Sequence, residues 1–258
     1  VGEPDKSLES LWTKVGDLAI HSKVALHTEN ATLPPIILVH GLGVSSRYMM
    51  PLARLLAAER AVYAIDLPGF GRSEKPRRAL NLTEQANALI AWMREIKITR
   101  AVLLANSIGC QIVVDVAFTH PDMVDQLILV SPTVDLWART IFKQYLRLLL
   151  DMPREPLSLI FIALKDYLWA GLGRVAATFA SALEDKVEEK LPGVRHSTLV
   201  VRGERDPLVS ERWAEEVTRL LPRGRLLVVE RAAHGVNYNS PERLARAVLK
   251  FLKAPSIE

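Results

Sequence analysis

Short, almost continuously apolar runs recur along this chain, separated by amphipathic stretches, and this alternation limits the fold more than any other feature. The runs are Ile36-Ile37-Leu38-Val39, Ala61 to Ile65, Ala101 to Ala105, Leu127-Ile128-Leu129-Val130, Thr198-Leu199-Val200-Val201 and Leu226-Leu227-Val228-Val229. Continuous apolarity, rather than alternation, suits strands covered on both faces. Between them, Arg47 to Ala58, Leu82 to Ile96, Ile108 to Thr119, Glu211 to Leu220 and Pro241 to Leu252 repeat apolar residues at the i, i+3 and i+4 spacing of a helix with one buried side. Strands and helices in alternation imply parallel crossovers, so the expected class is α/β with a mostly parallel, doubly covered sheet. Leu18 to Leu26 reads as an opening strand or hairpin arm. With 258 residues, 49% of them hydrophobic, the chain is long enough to bury one large core.

The segment from Thr133 to about Leu191 breaks the rhythm. It reads as consecutive helices, Ile141 to Leu150, Leu157 to Leu168 and Val175 to Leu183, separated by Asp151-Met152-Pro153 and Gly171-Leu172-Gly173. The expected organisation is a core domain of residues 1–132 and 192–258 and a helical cap of residues 133–191. Leu157 to Leu164 is apolar but too short to span a bilayer, and Lys165-Asp166 interrupts it. Its apolar face is expected to pack on the core and line a pocket, without stable membrane insertion. Trp137, Tyr167 and Trp169 of the cap, with Phe70 of the core, are the pocket candidates.

Ala105-Asn106-Ser107-Ile108-Gly109 lies between an apolar run and a helical pattern. A serine on such a sharp turn projects its hydroxyl from the sheet, while the helix N-terminus aims backbone N–H groups at the same place. Ser107 is therefore the candidate nucleophile, with small residues, Ala105 and Gly109, two positions to either side. A serine needs a base and a group to orient that base. Asp206, in Gly203-Glu204-Arg205-Asp206-Pro207, and His234, in Ala232-Ala233-His234-Gly235, each follow a predicted strand. The ligand crevice of an open α/β sheet forms outside the carboxyl ends of its strands, so all three belong on one rim. Asp135, after Leu127 to Val130, is the competing acid. His40-Gly41-Leu42-Gly43 follows the first run, and its glycines permit a bend that points an N–H inward. The main-chain N–H groups of Leu42 and Ile108 are the candidate oxyanion donors. His40 is read as a brace for this loop.

These residues resemble the α/β-hydrolase superfamily over nearly the whole chain. The matching segments are Val39 to Ser46, Asp66-Leu67-Pro68-Gly69-Phe70-Gly71-Arg72-Ser73, Ala105 to Gly109, Gly203 to Pro207 and Ala233-His234-Gly235. The resemblance implies a Ser107-Asp206-His234 triad and a helical cap over it. It makes the expected activity hydrolysis of small to medium, largely uncharged carboxylic esters through an acyl-enzyme, as in carboxylesterases. Activity should then fall as pH drops through roughly 6 to 7, where an ordinary histidine takes up a proton. Two alternatives stand beside it. One is carbon-carbon hydrolysis of dienoic ring-fission products, which needs a cation such as Arg139 or Arg174 for the substrate carboxylate. That branch usually has Trp after the histidine, where this chain has Gly235. The other is a non-catalytic ligand receptor on the same fold.

Composition narrows the partners. A net charge of +4 and a pI near 9.2, with basic and acidic residues interspersed, disfavour nucleic-acid binding. No Walker motif and no glycine-rich dinucleotide loop follows a strand, so no cofactor is expected. No ligand spacing calls for a metal. The single Cys110 excludes an intrachain disulfide and reads as a small buried filler. No signal peptide is visible, and the chain is placed in the cytoplasm.

Overall fold

The computed structural model describes residues 8–27, 30 and 32–254. An eight-stranded sheet runs in the order β1-β2-β4-β3-β5-β6-β7-β8. Its strands are β1 (Glu9–Val15), β2 (Leu18–Ala25), β3 (Ile36–Val39), β4 (Val62–Ile65), β5 (Ala101–Asn106), β6 (Val124–Val130), β7 (Thr198–Gly203) and β8 (Gly224–Val229). β2 pairs antiparallel with β1 and with β4, and every other pairing is parallel. The expected α/β sheet is present. β1 is the strand that hydrophobic patterning misses, because it is an edge strand with mostly exposed side chains. Its signal was the two-residue link Gly16-Asp17, where Gly16 takes φ +58°, as a tight hairpin requires.

The helices are α1 (Ser46–Leu56), α2 (Leu82–Glu95), α3 (Gly109–Thr119), α4 (Ile141–Asp151), α5 (Leu157–Ala170), α6 (Leu172–Glu184), α7 (Val187–Lys190), α8 (Glu211–Leu220), α9 (Val236–Asn239) and α10 (Pro241–Lys253). α6 starts three residues before the expected Val175, because Gly171, at φ +91°, turns the chain by itself.

Successive residues of a strand point to opposite faces, so the continuous runs feed two cores. Ile37, Val39, Leu103, Ala105, Leu127, Leu129 and Val200 pack with α2, α3 and α8 residues such as Leu89, Val113 and Trp213. Ile36, Leu38, Val102, Leu104, Ile128, Val130 and Val201 pack with Met49 and Leu52 of α1 and Leu244 and Val248 of α10. Both layers are buried, and they hold the carboxyl ends of β3, β5, β6, β7 and β8 in register along one rim. Helices α4 to α7 are inserted between β6 and β7.

Candidate active site

Ser107 follows β5 directly and takes φ +57°, a left-handed conformation that a non-glycine residue adopts only where its surroundings enforce it. The enforcement is visible in two glycines. A Cβ on Gly109 would meet His40 O at 2.6 Å, and one on Gly41 would meet the Ser107 Cβ at 3.1 Å. The β3 loop and the start of α3 therefore touch backbone to backbone, which no larger residue at position 109 permits. Among the described residues, neither the Leu42 N–H nor the Ile108 N–H has a protein acceptor. Two such N–H groups at a helix N-terminus and its neighbouring loop suit an anion or a developing oxyanion.

His40 is buried behind this loop. Its Nε2 accepts from the Leu67 N–H at 3.0 Å, so Nδ1 carries the proton and donates to Gly41 O at 2.8 Å. Burial lowers its proton affinity and keeps it neutral, as a brace requires. The loop after β4 is organised by the buried Asp66 carboxylate. It accepts from Ser46 N at 2.6 Å and Arg72 N at 2.9 Å and faces His21 Nδ1 at 2.8 Å. The buried Cys110 thiol lies 3.3 Å from Ala105 O, and burial pushes its proton affinity up.

His234 Nδ1 and Asp206 Oδ2 are 2.9 Å apart. Asp206 is buried, and its other oxygen accepts from Leu208 N at 2.8 Å and Val209 N at 3.1 Å. Burial alone would raise this carboxyl. The charge and hydrogen bond of His234 and the Val209 N–H outweigh it and hold the carboxyl low. Gly203 is why the two loops meet: a Cβ there would collide with the carbonyls of Ala232 and Ala233. The competing acid lies elsewhere. Asp135 is buried against Ser210 Oγ at 2.7 Å, Arg147 Nη1 at 2.6 Å and Trp137 N at 2.9 Å. It is Asp206 that the structure brings to the imidazole.

Asn106 joins the histidine loop to the turn, its Nδ2 lying 3.4 Å from both His234 O and Val130 O. The side-chain partner of Ser107 Oγ is Thr133 Oγ1 at 3.4 Å, and among the described residues no hydrogen bond joins it to His234. Two acids from the insertion complete the surroundings. Asp151 Oδ1 accepts from the His234 N–H at 3.3 Å. Glu155 accepts from the Gly235 N–H at 2.5 Å and from Asn239 Nδ2 at 2.9 Å. Burial works against a charged His234, but the carboxylates of Asp206, Asp151 and Glu155 prevail and raise the imidazole to about 9. Asp151, driven mainly by its own burial, is raised to about 6. Patterning had no means of finding Asp151 and Glu155, because they act across some 80 residues of sequence.

The pocket candidates separate. Phe70 is buried, sets its ring edge-on to His40 at 5.7 Å between centroids, and lines a cavity of about 10 Å³ with Leu42 and Ile108. The Tyr167 ring lies directly on Gly43, where a Cβ would collide with it, and burial pushes its hydroxyl up to about 12. Trp137 and Trp169 each lie against a cation. Trp137 stacks under Arg212 at 3.9 Å and meets Trp213 at 6.2 Å, on the α8 side, and Trp169 is 62% exposed beneath Lys75. The arginines needed for a dienoate are already engaged. Arg139 pairs with Glu188 at 2.6 Å, while Arg174 donates to Arg78 O at 2.9 Å and Pro76 O at 2.7 Å. Among the described residues, no cluster of His, Cys, Asp and Glu is arranged to hold a metal, and no helix is long and apolar enough to cross a membrane.

Comparison with known proteins agrees with this architecture. The chain is 28% identical over 238 residues to the dihydrolipoyllysine-residue acetyltransferase component of the acetoin cleaving system of Pseudomonas putida, covering 85% of this chain and 63% of that protein. Over 251 residues it is 26% identical to the 2-(acetamidomethylene)succinate hydrolase of Mesorhizobium japonicum, covering 88% and 90% of the two chains. A bacterial membrane phospholipase A structure superposes with a TM-score of 0.81 at 25% identity, over 96% of this chain and 86% of that one. The chain thus spans less than two thirds of the first of these relatives. Residues 36–247 match the alpha/beta hydrolase family, and with the sheet order and the rim just described this chain belongs to that family.

Proposed function

We propose that the protein is a serine hydrolase of carboxylic esters, working through an acyl-enzyme. The observation that carries this reading is a left-handed Ser107 beside two N–H groups that lack a protein acceptor, on the same rim as the Asp206–His234 pair. Ser107 Oγ turns from Thr133 toward His234 and attacks the ester carbonyl, passing its proton to Nε2. Asp206 fixes the imidazole tautomer and stabilises the imidazolium. The N–H groups of Leu42 and Ile108 donate to the oxyanion, each worth roughly 2.7 to 4 kcal/mol in the transition state. The imidazolium returns its proton to the leaving alcohol. Water, deprotonated by His234, then releases the acid.

The insertion, taken as a cap, sets access. Leu42, Phe70 and Ile108 enclose a small space beside the donors, and the Tyr167 ring over Gly43 of the same loop is taken as the group that moves when substrate enters. The acids beside His234 favour uncharged acyl groups and work against a substrate carboxylate. They also shift the pH profile. With the imidazole raised to about 9, the acid limb of kcat/KM lies above pH 7, not at the pH 6 to 7 of an ordinary histidine. Two of the named relatives, a hydrolase and a phospholipase A, support hydrolysis as the reaction class.

The test is steady-state hydrolysis of p-nitrophenyl esters from acetate to dodecanoate. Multiple turnover that Ser107→Ala reduces by about 10⁴-fold or more, with folding intact, is the expected result. Absence of turnover on every ester, or an active Ser107→Ala protein, overturns the reading.

A further inference from the structure

α5 has two unlike faces. On one, Leu159, Ala163 and Tyr167 pack on the body, and Asp166 is buried against Ser45 Oγ at 2.6 Å and Arg47. The other presents Leu157, Phe161, Leu164 and Leu168, spaced as one helical row. All four are exposed, Leu157 by 72% and Phe161 by 69%. α4, joined to α5 by residues 152–156, adds Phe142, Tyr145, Leu146 and Leu149, with Phe142 74% exposed. Single exposed apolar residues are ordinary, but two consecutive helices of them are not, since such patches mark a surface that another body covers.

The charges on these helices say which body. Of the charged residues from 141 to 170, the exposed ones are Lys143, Arg154 and Lys165. Every acid is turned inward: Asp151 and Asp166 are buried, and Glu155 is half-buried on Gly235 and Asn239. Arg147 is held by Asp135. The outer surface therefore offers apolar side chains and cations with no exposed anion among them. A second copy would bring no exposed acid of these helices to Lys143, Arg154 and Lys165, because a two-fold interface brings each patch onto itself. Aromatic and leucine side chains edged with lysine and arginine are instead the composition of a helix lying in a membrane interface over anionic headgroups.

We infer that the exposed faces of α4 and α5 dock the protein peripherally on an anionic lipid bilayer, with the apolar rows in the acyl boundary and Lys143, Arg154 and Lys165 on the headgroups. This docking stands apart from the proposed hydrolysis, because none of these side chains belongs to the rim that carries Ser107.

The test is co-sedimentation of the full chain with vesicles of phosphatidylcholine alone or mixed with phosphatidylglycerol. Binding is expected on the mixed vesicles only, and it should weaken as salt rises from about 0.1 M to about 0.5 M. Phe161→Ser with Leu168→Ser should reduce it at least about tenfold at unchanged circular dichroism and Tm. Lys143→Glu with Lys165→Glu should do the same without touching an apolar residue, which covers the case in which the first pair misfolds. The Ser107→Ala protein should bind as the native protein does, whatever its effect on ester hydrolysis. No binding to mixed vesicles, binding equal on both lipids and indifferent to salt, or binding that survives both double variants overturns the inference. So does a dimer in solution that Phe161→Ser with Leu168→Ser dissociates while vesicles fail to sediment the chain.

Discussion

The sheet body and the helical insertion are both rich in leucine, isoleucine and phenylalanine, yet they use them in opposite ways. In the body these residues disappear: Ile36, Ile37, Leu38, Leu103 and Leu104 have no exposed surface. In the insertion they largely remain outside, and polar groups fasten the helices down. Asp166 reaches Ser45 and Arg47, Glu155 reaches Gly235 and Asn239, Arg147 reaches Leu208 O, and Tyr238 Oη meets Ser158 Oγ at 3.1 Å. Apolar packing is additive and unforgiving of lost volume, whereas a few directional bonds can be broken one at a time. The same hydrophobicity thus reports a core in one region and a free surface in the other.

The widest gap should appear on truncating a body leucine. Leu104→Ala is expected to cost about 2 to 5 kcal/mol in global unfolding by denaturant, because a fully buried layer closes only partly over the cavity. A cost under about 1 kcal/mol would mean that the body is as loosely held as the insertion. Next comes the fastening. Asp166→Ala leaves Ser45 and Arg47 without their buried acceptor and should cost about 1 to 3 kcal/mol. That loss should be read locally, as faster proteolysis between residues 141 and 170, before it is read in the global transition. Cleavage at the native rate would remove Asp166 from the list of fasteners.

A smaller effect tests the contact between insertion and rim. Asp151→Asn keeps an acceptor for the His234 N–H but removes a charge that helps raise the imidazole. The neutral base gains population as that pKa descends, so the acid limb of kcat/KM should move to lower pH. The rate at pH 7 should rise about threefold, since a whole unit would be tenfold. An unmoved limb would show that Asp206 alone sets the histidine. Least of all should come Phe161→Ser, expected to change unfolding by no more than about 0.5 kcal/mol, as at an exposed site with no partner. A loss comparable with that of Leu104→Ala would place the residue in a core and erase the contrast.

The same contrast explains what could be read from the residues alone. Ile36 to Val39, Leu127 to Val130 and Thr198 to Val201 announce themselves because both faces of each strand are covered, so the pattern needs no partner to be recognised. Ser107, Asp206 and His234 were placed on one rim for a related reason: each follows an apolar strand run, although the β8 run before His234 is a part-exposed edge strand, and parallel order brings strand ends together. In the insertion, aromatic character alone fixed less. Trp137 and Trp169 were read as pocket candidates because they are aromatics of the cap, and the structure sets each against a cation, Trp137 on Arg212 and Trp169 on Lys75. Asp151, Glu155 and Asp166 left no local trace, since their meaning depends on how the helices dock. β1 was lost because an exposed edge strand has no buried side to show.

Tyr167 on Gly43 has a consequence for affinity. If substrate entry requires the ring to lift from this loop, as in the proposal above, an acyl chain binds only the fraction of molecules in which it has lifted. The dissociation constant measured is then the intrinsic one divided by that fraction. Any force that holds α5 away from the loop raises affinity without adding a contact to the substrate. In the hydrolysis proposed here, the tyrosine makes selectivity partly a matter of how often the site is open, and not only of its shape.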